Sequence, residues 1–393
     1  PREILAEEIL PRLPAKSLLR FKCVCKFFKT LISTPEFIQR HLRQSLSSDT
    51  NRLLVLAGRY RGLYTFHLDS PEFPPVSLSY PEFSRVSEGH AVIGSCNGLV
   101  CIRVTLASFI IFNPSTGIYR EIHFYKDSYA SFGFGFDDTN DDYKIVGVDI
   151  YMAHDVENDD EDQGDYVAVG VRTEVEVYSL KSDSWSLVES SLFEDSIEYK
   201  ESGALIDNHL VHWKFWNPST GKLRVGCFNL RSNRWGDDVP LPDSIPLTFE
   251  NVCFDDVEFP PVGVLDGCLC LLSENSPSKA VDVWVMKEYG VKDSWVKLVS
   301  IPNRHAYRPL QVCPLAYGKG SQSELLVRAD SRSTFFWFNI RDKTWRGTEI
   351  LVAPAYPAAC TCKGSLASIP GGGPFPIQAS KNQQGTMQVS VSI

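Results

Sequence analysis

Gly94-Ser-Cys96-Asn-Gly98 has the outline of a nucleophile elbow, in which a reactive side chain sits on a sharp turn between a strand and a helix. The residues that follow, Leu99-Val-Cys-Ile102, suit a strand instead, and Asn97-Gly98 is a strong two-residue hairpin signal. The spacing predicts a hairpin and no nucleophile. Three Cys-x-Cys pairs (Cys23/Cys25, Cys268/Cys270, Cys360/Cys362) bring thiols close together, but the Cys-x-x-Cys or paired Cys/His spacing of a zinc site is missing. On a helix the first pair points to nearly opposite sides; on a strand the second shares one face. His209 and His212 accompany Trp213 on an expected strand and read as packing or polar-face residues. Gly133-Phe-Gly135 lacks the third glycine and the following helix of a dinucleotide loop. Seven acids (Asp155, Glu157, Asp159, Asp160, Glu161, Asp162, Asp165) invite calcium, yet Gly164 is misplaced for an EF-hand and no terminal Glu follows. That run reads as a solvated loop. No catalytic residue, metal or cofactor is expected.

The elements that carry these residues follow from composition. With 393 residues, and about 150 per domain, two or three domains are expected. Aromatics at 12%, with 24 Pro and 26 Gly, favour many short strands over long helices. No apolar run approaches the roughly 20 residues that a spanning helix needs. The net charge of −9 is split: residues 1–50 carry nine Lys/Arg against five Asp/Glu, +4, which leaves −13 on the rest. An acidic body argues against nucleic-acid binding, because phosphate contacts need a basic face. Eleven cysteines in no regular framework fit free thiols, and proline blocks both Asn113-Pro-Ser115 and Asn217-Pro-Ser219 as glycan acceptors. Cytoplasm or nucleus is the expected compartment.

Residues 1–45 read as helices: Glu3–Leu10, ended by Pro11 and Pro14, then Leu18–Ile32, then a third capped by Thr34-Pro35. Ten of the fifteen positions in Leu18–Ile32 are apolar or cysteine, more than one core-facing stripe requires. So small a segment cannot bury both sides of such a helix, and part of it must meet another surface. The run from Pro1 through Leu10, Pro14 and Cys23-Val-Cys25-Lys26, with Leu31-Ile32-Ser-Thr-Pro35-Glu-Phe37, resembles the F-box of plant proteins. That resemblance implies docking on an acidic Skp-type adaptor and, through it, on a cullin-RING ubiquitin ligase. Carried over position by position, Pro1, Leu5, Ile9, Leu10, Leu13, Pro14, Leu18, Val24, Cys25 and Phe28 would form the adaptor interface. The family has Trp where this chain has Phe28, which keeps aromatic bulk but loses the indole N–H and would lower adaptor affinity.

Beyond residue 50 the sequence repeats. Phe112-Asn-Pro-Ser-Thr-Gly-Ile-Tyr119 aligns with Tyr178 to Trp185, Phe228 to Trp235 and Phe338 to Trp345, with a weaker copy at Phe66 to Phe73 and a longer one at Trp284 to Trp295. Each is a hairpin whose flanking aromatics can pack onto a neighbouring unit. Further hairpins precede several of them, at Gly94–Ile102, Gly203–Trp213 and Gly263–Leu272. Two hairpins per unit make one four-stranded blade, and six copies predict a mainly β, kelch-like propeller of six blades. It would close between Arg52–Leu68 and a strand after Trp345. The tandem double glycine of kelch is absent, and a β-sandwich is the alternative, since the copies are 46 to 66 residues apart. Phe112 to Gly117, Gly133-Phe-Gly135, Asp142-Tyr-Lys-Ile-Val146 and Val283 to Trp295 resemble the F-box-associated domain of the same plant proteins.

The domains are therefore placed at 1–45 (F-box), 50–350 (propeller) and 351–393 (closing strand and partly disordered tail, with Gly371 to Pro376). The resemblance implies a non-catalytic substrate receptor that holds an unidentified protein for ubiquitination. Loops 154–165 and 273–280 are the expected target contacts. The competing reading is a propeller enzyme or glycan-binding propeller with a helical cap.

Overall fold

The structure is a computed structural model that describes residues 2–58, 62–68, 76–78, 91–125, 130–156, 166–188, 197–198, 202–217, 220, 222–243, 245, 262–275, 280–302, 313–329, 334–347 and 358–374. It is a six-bladed β-propeller with a small N-terminal helical region. Two compact units divide it: residues 1–127 with 311–393, and residues 128–310.

In the first unit the chain starts as α1 (Arg2–Ile4), runs on through a π turn (Leu5–Ile9) and a 3-10 turn (Leu10–Arg12), and continues as α2 (Ala15–Phe21), α3 (Lys26–Ile32) and α4 (Pro35–Ser47). The expected single helix over Leu18–Ile32 is two helices. Cys25 is extended (φ −159°, ψ 164°), and the break turns the chain so that Leu18 and Ile32, both fully buried, face one core. That solves the excess of apolar positions by giving each half its own buried side. Thr34 caps α4 as its sequence suggests, its hydroxyl accepting from the Phe37 amide at 3.2 Å, with Pro35 at the first helical position.

Three antiparallel sheets share this unit. The first has the order Ala358–Lys363, Arg52–Gly58, Gly62–His67, Val76–Leu78. Six register pairs join Arg52–Ala57 to Ala358–Lys363, so the late strand closes the early sheet. The second runs Ala91–Cys96, Leu99–Thr105, Ser108–Asn113, Ile118–His123, with Gly373–Pro374 added outside. The sixth runs Cys313–Gly318, Ser321–Ala329, Thr334–Asn339, Trp345–Gly347. Period-two alternation explains why Leu53-Leu-Val-Leu-Ala57 is apolar throughout: Leu53, Val55 and Ala57 pack with the second sheet, Leu54 and Leu56 with the sixth.

The other unit holds the third sheet (Ser131–Asp137, Asp142–Val156, Tyr166–Ser179, Ser184–Val188), the fourth (Ala204–Ile206, Leu210–Asn217, Lys222–Asn229, Arg234–Trp235, with Ile197–Glu198 beside Leu210–Asn217) and the fifth (Gly263–Leu265, Cys268–Asn275, Ala280–Met286, Trp295–Pro302). Gly133 is a packing glycine: a Cβ there would lie 2.3 Å from Val211 Cγ1 and 3.0 Å from Trp213. Lys144, on the neighbouring strand, reaches Asp137 at 2.7 Å, the Leu230 carbonyl at 2.6 Å and Asn233 Oδ1 at 3.0 Å, which ties the third sheet to the fourth.

The repeat is one turn used four times. Phe112↔Tyr119, Tyr178↔Trp185, Phe228↔Trp235 and Phe338↔Trp345 are all registered pairs. In two of them the rings meet edge-on across their own hairpin, with Phe338 and Trp345 centroids 4.8 Å apart and Phe228 and Trp235 5.3 Å apart. Phe112 and Phe228 also pack against residues of the neighbouring sheet, as expected. Two residues before the second aromatic, Gly117, Asp183, Asn233 and Lys343 all take positive φ. The fifth copy is corrected: Trp295 pairs with Met286, not Trp284, because two residues rather than four are added and a 3-10 turn (Lys292–Ser294) takes them up. Phe73, in the weakest copy, lies outside the described residues.

Candidate functional site

The helical segment has a core of its own: Leu10, Ala15, Leu18, Ile32 and Phe37, with Leu366 from the far end of the chain. Of the expected interface residues, Leu10 and Leu18 belong to this core at 2% and 0% exposure. Leu5, Leu13 and Phe28 are half-buried against it. Ile9, Pro14, Val24 and Cys25 are exposed, Val24 at 66%; Pro1 lies outside the described residues. Sequence reasoning missed Ile4 (52%) and Phe27 (40%) as surface residues. The apolar excess flagged the stretch, but only the break between α2 and α3 shows which side chains it turns outward.

That break makes a corner. Phe21, Phe27 and Phe28 cluster there, with centroids 5.7 Å (Phe21–Phe28) and 5.6 Å (Phe27–Phe28) apart, and Cys23, Val24 and Cys25 stand exposed beside them. Residues 15–32 carry Lys16, Arg20, Lys22, Lys26 and Lys29 and no acid. Burial lowers the ammonium pKa of Lys16 and Lys22, and Arg20 adds to the effect on Lys16. Apolar side chains set in a purely basic stretch fit a partner that is apolar and acidic.

The family model for the F-box domain matches residues 3–40, and that for the F-box associated beta propeller domain matches residues 74–352. The chain belongs to the F-box proteins with an F-box-associated β-propeller. Among its relatives in Arabidopsis thaliana, F-box protein CPR1 is 30% identical, over 93% of this chain and 90% of that one. F-box protein At4g22390 is 29% identical, over 97% and 93% respectively. F-box/kelch-repeat protein At3g23880 is 28% identical, over 79% and 82%.

The remaining chemical candidates take structural places in this F-box protein. Asn97 and Gly98 have φ of 52° and 78°, so Cys96 ends a strand at a two-residue hairpin; burial pushes its thiol pKa up, the opposite of what a nucleophile needs. Cys270 and Cys362 are buried, and among the described residues no three His, Cys, Asp or Glu side chains are grouped to hold a metal. His209 lies in the turn before its expected strand, its Nδ1 2.6 Å from the Asp207 carbonyl. His212 is fully buried on that strand. Its Nδ1 is 3.1 Å from the Ala204 carbonyl and so carries the proton, which leaves Nε2 to accept from the Tyr289 hydroxyl at 2.7 Å. Burial brings its pKa down to about 4.

The family's propeller segments are structural too. Asn113 Oδ1 accepts from the Ser115 and Thr116 amides, while its Nδ2 donates to the carbonyls of Ser365 (3.2 Å) and Ala367 (2.9 Å). Of the expected target loops, 154–156 are strand, and 157–165, including the acidic run's core, lie outside the described residues. Residues 273–275 are strand as well, with Ser273 buried and accepting from Trp284 Nε1 at 3.1 Å; 276–279 lie outside the described residues. At the hairpin ends of the third and fourth sheets, Asn140, Asp142, Lys144, Lys181, Ser182 and Asn233 line a depression of about 510 Å³. Its charges are engaged internally, Lys144 by Asp137 and Asp142 by Ser179 and the Lys181 amide.

Proposed function

We propose that the protein is the substrate-recognition subunit of a Skp–cullin–F-box ubiquitin ligase. The α2–α3 corner docks on a Skp-type adaptor, and the propeller captures a target protein. F-box proteins act as non-catalytic adaptor subunits, so the contribution here is proximity: binding raises the effective concentration of the target while other subunits carry the chemistry. The observation that carries this reading is the exposure of Val24 and Phe27 in a wholly basic stretch of an F-box. A surface of that kind, which exposes both a large aromatic and a β-branched residue, is costly to leave in water.

The test is copurification of the full chain with a recombinant plant Skp-type adaptor. Wild type should form a complex, and the double variant Val24→Glu, Phe27→Glu should lose it while its thermal unfolding stays unchanged, because neither residue is in the core. A wild-type chain that does not bind, or a double variant that binds as well as wild type, would sink the reading.

A further inference from the structure

Residues 363–369 join the two ends of the chain inside one unit. On the helical side, the Ser45 hydroxyl on α4 donates to the Gly364 carbonyl at 2.8 Å, Lys363 Nζ donates to the Ser48 carbonyl, and the Gly364 amide donates to the Asn51 carbonyl at 2.8 Å. Leu366, 4% exposed, enters the helical core beside Leu18, Ile32 and Phe37. On the propeller side, Asn113 holds the Ser365 and Ala367 carbonyls, and the Ser115 hydroxyl accepts from the Ser365 amide at 3.2 Å. Gly98 lets the chain approach: a Cβ there would lie 2.3 Å from Ser365 Oγ and 2.6 Å from the Lys363 carbonyl. Immediately before this segment is the strand Ala358–Lys363 that closes the first sheet.

We infer that residues 363–369 complete the F-box from the C-terminal side, so that the fold of α2–α4 depends on a closed propeller, and adaptor docking depends on it in turn. The adaptor part rests on the receptor reading above; the packing part does not. Without Leu366 the buried apolar cluster of the helical segment holds five residues, with seven partly buried ones packed against it. So small a cluster has little stability to spare, and one buried leucine is a large share of it. The bracket also works in reverse: whatever loosens the 358–363 strand or the Asn113 turn withdraws Leu366 from the helices. Docking competence is thereby made a property of the finished molecule rather than of its first fifty residues.

Hydrogen exchange on the full chain, without adaptor, tests the dependence directly. Leu366→Ala should lower protection of the α2–α4 amides by about tenfold or more while the Arg52–Gly58 amides keep theirs. Asn113→Ala, altered on the second sheet, should loosen the same helices in the same direction. Adaptor affinity of both variants should fall in step with the lost protection. Wild-type protection of α2–α4 in both variants overturns the inference. Loosening by Leu366→Ala but not by Asn113→Ala overturns the propeller dependence and leaves Leu366 a local core residue. Should Leu366→Ala not fold, Ser45→Ala removes one hydrogen bond of the bracket and is read in the same way. A wild-type chain that binds no adaptor overturns the receptor reading alone, since the exchange data still decide the coupling.

Discussion

The Lys144 ammonium sits 2.7 Å from the Asp137 carboxylate, with both side chains almost wholly out of water. Burial pushes the Asp137 pKa up, but hydrogen bonds from Asn140 and Lys144 outweigh it and hold the carboxyl below its usual range. The Lys144 ammonium is saturated, since its three donors also reach the Leu230 carbonyl and Asn233. Removing one partner strands the other charge in the interior. Lys144→Met should therefore cost about 3–5 kcal/mol, and Asp137→Asn a comparable amount, with the double variant Lys144→Met, Asp137→Leu well below their sum. Urea unfolding followed by tryptophan fluorescence measures this; a Lys144→Met loss under about 1 kcal/mol would show that the pair is not desolvated.

At Gly133 the neighbouring sheet leaves no room. Gly133→Ala forces its new methyl against Val211, which as overpacking should cost about 1–3 kcal/mol. Combining it with Val211→Ala frees the space, so the double variant should melt above the sum of the two single losses. Strictly additive melting shifts would mean that the two residues do not meet.

For His212 the pH dependence has a definite sign. Its folded pKa of about 4 lies below the ordinary 6.5, so between those values the unfolded chain binds more protons and stability falls on acidification. The full effect, reached below pH 4, is about 3 kcal/mol. Ring resonances of His212 should titrate near pH 4, and His212→Gln should unfold with a weaker acid dependence. Some dependence stays, because burial also lowers the pKa of His41 on α4. A His212 ring that titrates near 6.5 would contradict the buried neutral assignment.

Thr34 makes two bonds at the start of α4, accepting from the Phe37 amide and donating to the Leu31 carbonyl at 3.0 Å. Thr34→Ala should cost about 0.5–2 kcal/mol, and Thr34→Ser should recover most of it. Amide exchange in α4 reads the difference, and equal exchange in all three proteins would remove the cap from the account.

Most of the fold was legible in local chemistry. The Asn97-Gly98 hairpin, the Thr34-Pro35 cap and four of the aromatic repeats depend on residues within a few positions of one another, and each of these forms as its spacing suggests. What was hidden depends on distance in the sequence. Nothing near Gly133 announces Val211, so its glycine reads as a failed dinucleotide loop until the next sheet is in place. The burial of Leu18 was hidden too, because helical periodicity counts apolar positions without saying which way a broken helix turns. The segment 364–374 has the glycine-rich look of a tail, yet Ser365, Leu366 and Ala367 are buried and Gly373-Pro374 pairs with Ile118–Tyr119; its packing partners lie some 250 residues upstream. Residues 375–393 lie outside the described ones.

The hydrogen bond from Ser45 to Gly364 spans 319 residues, and that interval is also a time. At about 5–20 residues per second, a ribosome needs roughly 15–60 s after making α4 before Leu366 exists to join it. For that interval the N-terminal helices lack both their sixth core residue and the sheet that holds it. A nascent chain then carries the exposed Val24 and Phe27 without Leu366 in the core behind them.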